Sequence, residues 1–327
     1  MPTFTENIGS HLGLLAEVLG NVLRLRNRCR SERRLDGHVV VITGANQGIG
    51  KETAYQLSFR GAKIIIGCRD EKRAENAIKD IKQRNPKADI YSLPLDLSSL
   101  QSVRQFVTEI TKRETKVDIL INNAGIACDT EQQTEDGFEM AFGTNHLGHY
   151  LLTLSVLPLL RNAPKARIIT VSAGSHVFGK INFENINLRN GAINTKDAVS
   201  QSKLANVLFT RELARRLCRD TTVTAYSLHP GLVHTDFHRN LQSPALRTLF
   251  RLICQLFGLS IERGCQTSLY CALEEDLDNE SGFYYDNCRR VDAMVSTATD
   301  DQSAQQLWQL SEELVRLEEH LKLPKHF

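Results

Sequence analysis

The chain has 327 residues, 41% hydrophobic and 24% charged, the balance of a folded soluble core, and its length suits one large α/β domain or two small ones. A net charge of +2 is too even for a nucleic-acid-binding surface. None of the eight cysteines forms a C-x-x-C pair, so neither a zinc site nor a redox motif stands out, and reduced thiols facing the cytosol are expected.

In chain order, residues 8–25 read IGSHLGLLAEVLGNVLRL, with Ile8, Leu12, Leu15, Leu19, Val22 and Leu23 at three- and four-residue steps. That spacing predicts an apolar helix stripe. Arg24, Arg26, Arg28, Arg30, Arg33 and Arg34 follow. The run is short for a span of about 20 residues, and it lacks a signal-peptide cleavage site. Three readings stay open for residues 1–34: a helix packed on the domain, an interfacial anchor with arginines at anionic head groups, and a transmembrane span.

From Leu35 strands and helices alternate. "HVVVITG", "AKIIIGCR", "ADIYSLPLDL", "VDILINNAG", "KARIITVS" and "TVTAYSLHPG" read as strands, and "SGFYYDN" as a candidate seventh. Between them lie the helical stretches "GIGKETAYQLSFRG", Glu71 to Asn85, and "SLQSVRQFVTEITK", which opens on a capping serine. "SAQQLWQLSEELVRLEEHL" predicts a closing helix. Such alternation predicts one α/β domain over 35–327, a doubly wound parallel sheet with helices on both sides.

The first strand runs into "TGANQGIG", Thr43, Gly44, Asn46, Gln47, Gly48, Ile49 and Gly50, and then into a helix. Glycines here allow a tight turn and close approach of a pyrophosphate to a helix N-terminus. At the end of the second strand a carboxylate would hold an NAD ribose. This chain has Arg69 there and Lys51 beside the last glycine, a pair of cations suited to a 2′-phosphate and so to NADP(H).

The G-x-x-x-G-x-G spacing, with "NNAG" at Asn122 to Gly125, resembles the short-chain dehydrogenase/reductase family. "LDLSS", "NHLGHYLLT", "SKLANVLFTRELA" and "HPGLV" look like its retinol dehydrogenase group. The resemblance spans about Leu35 to Tyr285. It implies a Rossmann-type fold with a seven-stranded sheet, a nicotinamide cofactor, an apolar retinoid-like substrate and a cytosol-facing membrane such as the endoplasmic reticulum. It also implies that Asp96 and Leu97 border the adenine, that Asn123, Ala124 and Gly125 pass along the cofactor, and that Pro230, Gly231 and Val233 border the nicotinamide.

The family's catalytic set is an asparagine, a serine, a tyrosine and a lysine. Asn145 and Lys203 match; Val199 stands where the tyrosine belongs and Ala173 where the serine belongs. Valine has no titratable proton. Ser172 and Ser175 flank the vacated serine position, and a one-residue slip would bring either near. Three functions stay open: an NADP(H) binder with impaired chemistry, an active reductase using another donor such as water held by Asn145 and Lys203, and a partner-binding protein whose nucleotide site steadies the fold. Residues 243–261, rich in Leu246, Leu249, Phe250, Ile253, Leu256, Phe257 and Leu259, read as a lid over an apolar ligand, as ordinary core or as a membrane contact.

Overall fold

The computed structural model describes residues 26–128, 131–191, 195–234 and 241–325. The apolar stripe of residues 8–23 and Arg24 lie outside the described residues. Eight strands form one sheet: β1 (Val39–Thr43), β2 (Lys63–Cys68), β3 (Ile90–Pro94), β4 (Ile119–Asn122), β5 (Ala166–Val171), β6 (Val223–His229), β7 (Tyr284–Asp286) and β8 (Arg289–Arg290). Their order is β3-β2-β1-β4-β5-β6-β7-β8. The first seven are parallel, as expected. β8 adds a short antiparallel edge, joined to β7 by Asn287 and Cys288, both at positive φ (52° and 54°). Two consecutive left-handed residues make the kind of tight turn whose twist suits a hairpin.

The helices used below are α1 (Gly48–Phe59), α2 (Glu71–Arg84), α3 (Leu100–Arg113), α4 (Gly148–Arg161), α5 (Thr195–Arg216), α6 (Pro244–Phe257), α7 (Gln266–Leu273) and α8 (Asp301–Leu314). Ser99 caps α3, its hydroxyl accepting from the Ser102 N–H. Every residue of β1, β4 and β5 is buried, because helices cover both faces and no alternation with polar residues is needed. On one face Val41, Leu120 and Ile168 meet Leu204 of α5 and Trp308 of α8. On the other, Ile42, Ile121 and Ile169 meet Leu57 of α1 and Leu269 of α7.

The closing helix is shorter than its sequence pattern. It stops at Leu314, the backbone turns left-handed at Arg316 (φ 49°), and only a short 3₁₀ turn follows at Glu319–Leu321. Among the described residues no helix is long and apolar enough to cross a membrane.

Residues 26–34 form a strap over the β7–β8 edge. Asn27 donates two hydrogen bonds to Asn287, from its backbone N–H to Oδ1 at 2.6 Å and from Nδ2 to the backbone carbonyl at 3.0 Å. Of the six arginines expected at lipid head groups, Arg26, Arg28, Arg33 and Arg34 pair instead with Asp286, Glu262, Asp278 and Asp36. Asp278 also holds Arg167 of β5 at 2.5 Å, a guanidinium that donates besides to the carbonyls of Cys271 and Glu274. Satisfying a buried cation this fully offsets its desolvation.

Candidate active site

The strand order reverses direction between β1 and β4, which opens a crevice at their carboxyl ends. Thr43 ends β1, and Asn122 ends β4. Gly44 and Gly48 both take positive φ (68° and 57°), where a side chain would strain the turn. A Cβ on Gly50 would come within 2.5 Å of the Asn123 amide nitrogen, so only glycine allows the two loops to meet. Gln47 leaves the N-terminus of α1 without a side-chain cap, and its first turn has no carboxylate. Free N–H groups with no competing anion fit a phosphate group there.

Thr43 joins the two loops. Its hydroxyl oxygen accepts from the Asn123 and Ala124 N–H groups, both at 2.9 Å. Its proton is therefore left for Nε2 of His149, 2.8 Å away. With Nε2 accepting, the imidazole proton sits on Nδ1 and donates to the carbonyl of Asn145 at 3.0 Å. Burial pulls the His149 pKa down to about 4, which keeps this neutral form. A hydrogen-bonded chain thus runs from the glycine turn to the expected catalytic asparagine. His149 was not singled out from sequence; its i+4 spacing from Asn145 in "NHLGH" was the available signal.

Asn145 lies in a π turn, Gly143–Leu147, a break from regular helix often found at functional sites. Its side chain is fully engaged: Oδ1 accepts from Ile126 N at 2.8 Å, and Nδ2 donates to Ile126 O and to Ser202 Oγ, each at 3.0 Å. The amide ties the "NNAG" loop to α5.

Val199 and Lys203 are one turn apart on α5, hence on one face. Val199 is half-buried and Lys203 buried. The Lys203 Nζ donates to the carbonyl of Val171 at 3.1 Å, and burial alone lowers its pKa to about 8. Ser172 does not fill the serine position: its hydroxyl donates to the carbonyl of Lys203 at 2.7 Å, on the α5 side of the sheet. Ser175 Oγ is buried in the next turn with no hydrogen-bond partner. His229, at the end of β6, accepts the Gly174 N–H on Nδ1 at 3.0 Å and so braces the turn carrying Ala173. Pro230, Gly231 and Val233 follow directly, all buried.

At the adenine end, Arg69 is 70% exposed and 3.6 Å from Asp96, whose other oxygen is held by Ser98. Leu97 is buried beside it. Asp70 caps α2 through Arg73 N and pairs with the Arg73 side chain. Its carboxylate is thus occupied by Arg73, and the carboxylate facing Arg69 is that of Asp96. Lys51 pairs with Asp80 at 2.5 Å, so its charge is already partly balanced.

A crevice with a glycine turn, a threonine-bridged second loop and a lysine on the facing helix defines a dinucleotide-binding oxidoreductase scaffold. The family model described as short chain dehydrogenase matches residues 38–187. Retinol dehydrogenase 14 of Mus musculus is 43% identical over 292 residues, covering 86% of each chain. Retinol dehydrogenase 13 of Homo sapiens is 42% identical over 319 residues, covering 94% of this chain and 95% of its own. Among solved structures, an uncharacterized protein from Mycobacterium Paratuberculosis superimposes with a TM-score of 0.71 at 34% identity, over 90% of this chain and 97% of that one. A short chain dehydrogenase from Escherichia coli CFT073 complexed with NADPH shares the fold, with a TM-score of 0.60 at 20% identity, over 78% of this chain and 98% of its own. The chain belongs to the short-chain dehydrogenase/reductase family, in its retinol dehydrogenase-like branch.

Proposed function

We propose that this chain binds NADP(H) together with a lipophilic, retinoid-like aldehyde or alcohol, and that its redox chemistry is strongly impaired. The reading rests on one observation: on the α5 face carrying the buried Lys203, the position one turn earlier is Val199. Bound, the cofactor's nicotinamide supplies or accepts the hydride. The chain contributes the rest. Free N–H groups of α1 hold the pyrophosphate, Arg69 meets the 2′-phosphate, and the Lys203 ammonium supports a ribose hydroxyl. Thr43, His149 and Asn145 keep the loops in register.

No side chain at position 199 can pass a proton to a carbonyl oxygen. Ala173 cannot hydrogen-bond one, and Ser172 is committed to Lys203 O. A proton donor contributes about 10²–10⁴-fold and an oxyanion-type donor roughly 10²–10³-fold, with losses that do not add simply. Activity about 10³–10⁵-fold below an intact relative follows. Water held by the Asn145 side chain is a weak substitute, since all its hydrogen-bonding atoms serve Ile126 and Ser202.

The same reading puts residues 1–34 at a membrane surface, supported by the apolar stripe; four of the arginines that follow it are engaged by carboxylates of the fold and do not add to that support. The test is an NADPH titration followed by a retinal-reduction assay on the same sample. Binding without turnover supports the reading. Turnover at about 1–10³ per second, ordinary for enzymes, overturns it.

A further inference from the structure

α6 is turned with its apolar side outward. Leu249, Leu252 and Leu256 recur at three- and four-residue spacing and share one face, with Phe257 at its edge. That face meets solvent: Leu249 is 52% exposed, Leu252 50%, Leu256 70% and Phe257 38%, with Ile261 just beyond at 37%. Toward the fold the helix presents Cys254, 8% exposed, and Arg247, which donates to the carbonyl of Leu241 at 2.8 Å. Among the described residues seven large apolar side chains are exposed, and five of them fall in this stretch. Single exposed apolar residues are ordinary; a cluster marks a contact surface.

Two observations identify what covers it. From Pro244 to Ile261 there is no carboxylate, so the outward face carries no charge that an anionic surface would repel. The strap residue Arg26 and Leu259, two residues past α6, both lie against Gly231: a Cβ there would be 3.1 Å from the Arg26 guanidinium carbon and 2.7 Å from Leu259 Cδ1. Arg28 reaches Glu262 at 3.5 Å. Arg26, the first described residue, therefore lies beside the end of α6.

We infer that the outward face of α6 lies on an anionic phospholipid bilayer as an interfacial helix, a second lipid contact beside the N-terminal segment. This inference rests on the membrane association proposed for residues 1–34 and locates the rest of the contact. It also ties the bilayer to the site. Leu259 N donates to Leu232 O at 2.8 Å and Leu259 O accepts from His234 N at 3.0 Å, so the segment ending α6 is paired with the loop expected to border the nicotinamide.

The experiment is flotation of the full-length chain with phosphatidylcholine vesicles containing about a third phosphatidylserine. The paired variant Leu252→Glu/Leu256→Glu should lower vesicle partition at least ~10-fold. NADPH affinity should stay within about twofold, and Phe59→Glu, an exposed aromatic on α1, should leave flotation unchanged. If the paired variant floats as well as the parent, the inference fails while the N-terminal reading stands. If the parent does not float, both fail. Loss of retinoid binding with unchanged flotation makes the face a lid, and a parent dimer that the paired variant dissociates makes it a contact between copies; either overturns the inference.

Discussion

β1 to β4 and the β5–α5 pair carry the two parts of a dehydrogenase site, and they differ in what holds them. In the first part the determinants are largely backbone: glycines at positive φ, the Asn123 and Ala124 N–H groups that donate to the Thr43 hydroxyl, and the close approach of Gly50 to the Asn123 side chain. In the second they are side chains at the cleft, and on the proposed reading the two positions that carry the family's chemistry hold Ala173 and Val199. Replacing a side chain that only faces substrate leaves packing intact, whereas replacing a glycine at the turn would break the fold locally. On the proposed reading, binding and catalysis are therefore separable in this chain. Lys203 sharpens the contrast, because its ammonium is buried at a cost in stability and donates to a backbone carbonyl.

The largest effect should come from restoring the second part. Val199→Tyr with Ala173→Ser should raise retinal turnover by several orders of magnitude, about 10³–10⁵-fold, and Val199→Tyr alone by less. Overpacking where an isopropyl group now sits could cost roughly 1–3 kcal/mol, so turnover is to be compared on protein shown to be folded. An unchanged rate would mean that the difference between the two parts does not lie in these side chains.

Lys203→Met should separate stability from binding. The lysine pKa falls from 10.5 to about 8 on folding, so at pH 7 the buried charge opposes folding. Its removal should stabilise the free protein by roughly 2–4 kcal/mol, read by chemical denaturation, while weakening NADPH about tenfold. As pH rises from 8 toward 10.5 the folded lysine loses its proton before the unfolded one, so the parent's handicap shrinks. A stability gain that grows with pH over that window would contradict the burial argument.

Arg69→Ala probes the adenine end. NADPH affinity should fall about 10–100-fold more than NADH affinity, because a charge-assisted contact to the 2′-phosphate is lost. Equal weakening of both would remove the NADP preference.

The smallest effect is a control away from either part. Burial alone would raise the Asp278 pKa, but hydrogen bonds from Arg167 and Arg33 hold it at about 2. Its folded pKa lies below the usual 3.8, so its contribution is present above that value and is lost as pH falls through about 2. Asp278→Asn should cost about 1–2 kcal/mol at pH 7, a few degrees in melting temperature, with NADPH affinity unchanged. A change in NADPH affinity would mean that the strap, too, belongs to the cofactor site.

The roles of Asn145, Lys203, Ala173 and Val199 came from the family resemblance and stay proposals. Sequence alone determined six of the parallel strands, offered the seventh as a candidate, and marked the glycine turn and the one-turn spacing of Val199 and Lys203 on a helix. Each is a local pattern: apolar runs buried on both faces, glycines between a strand and a helix, residues one turn apart on a helix. It overran α8, because apolar periodicity continues past Leu314 while the backbone turns left-handed at Arg316. It missed β8, two exposed arginines with no apolar signal. Tertiary structure decided what long-range contacts control. His149 received its tautomer from Thr43, 106 residues away. Four arginines found carboxylates on the folded body. The apolar face of α6 was legible as a stripe, but periodicity measures only which residues share a face. Which way that face points is set by how the helix docks, through Cys254 and Arg247 on its other side.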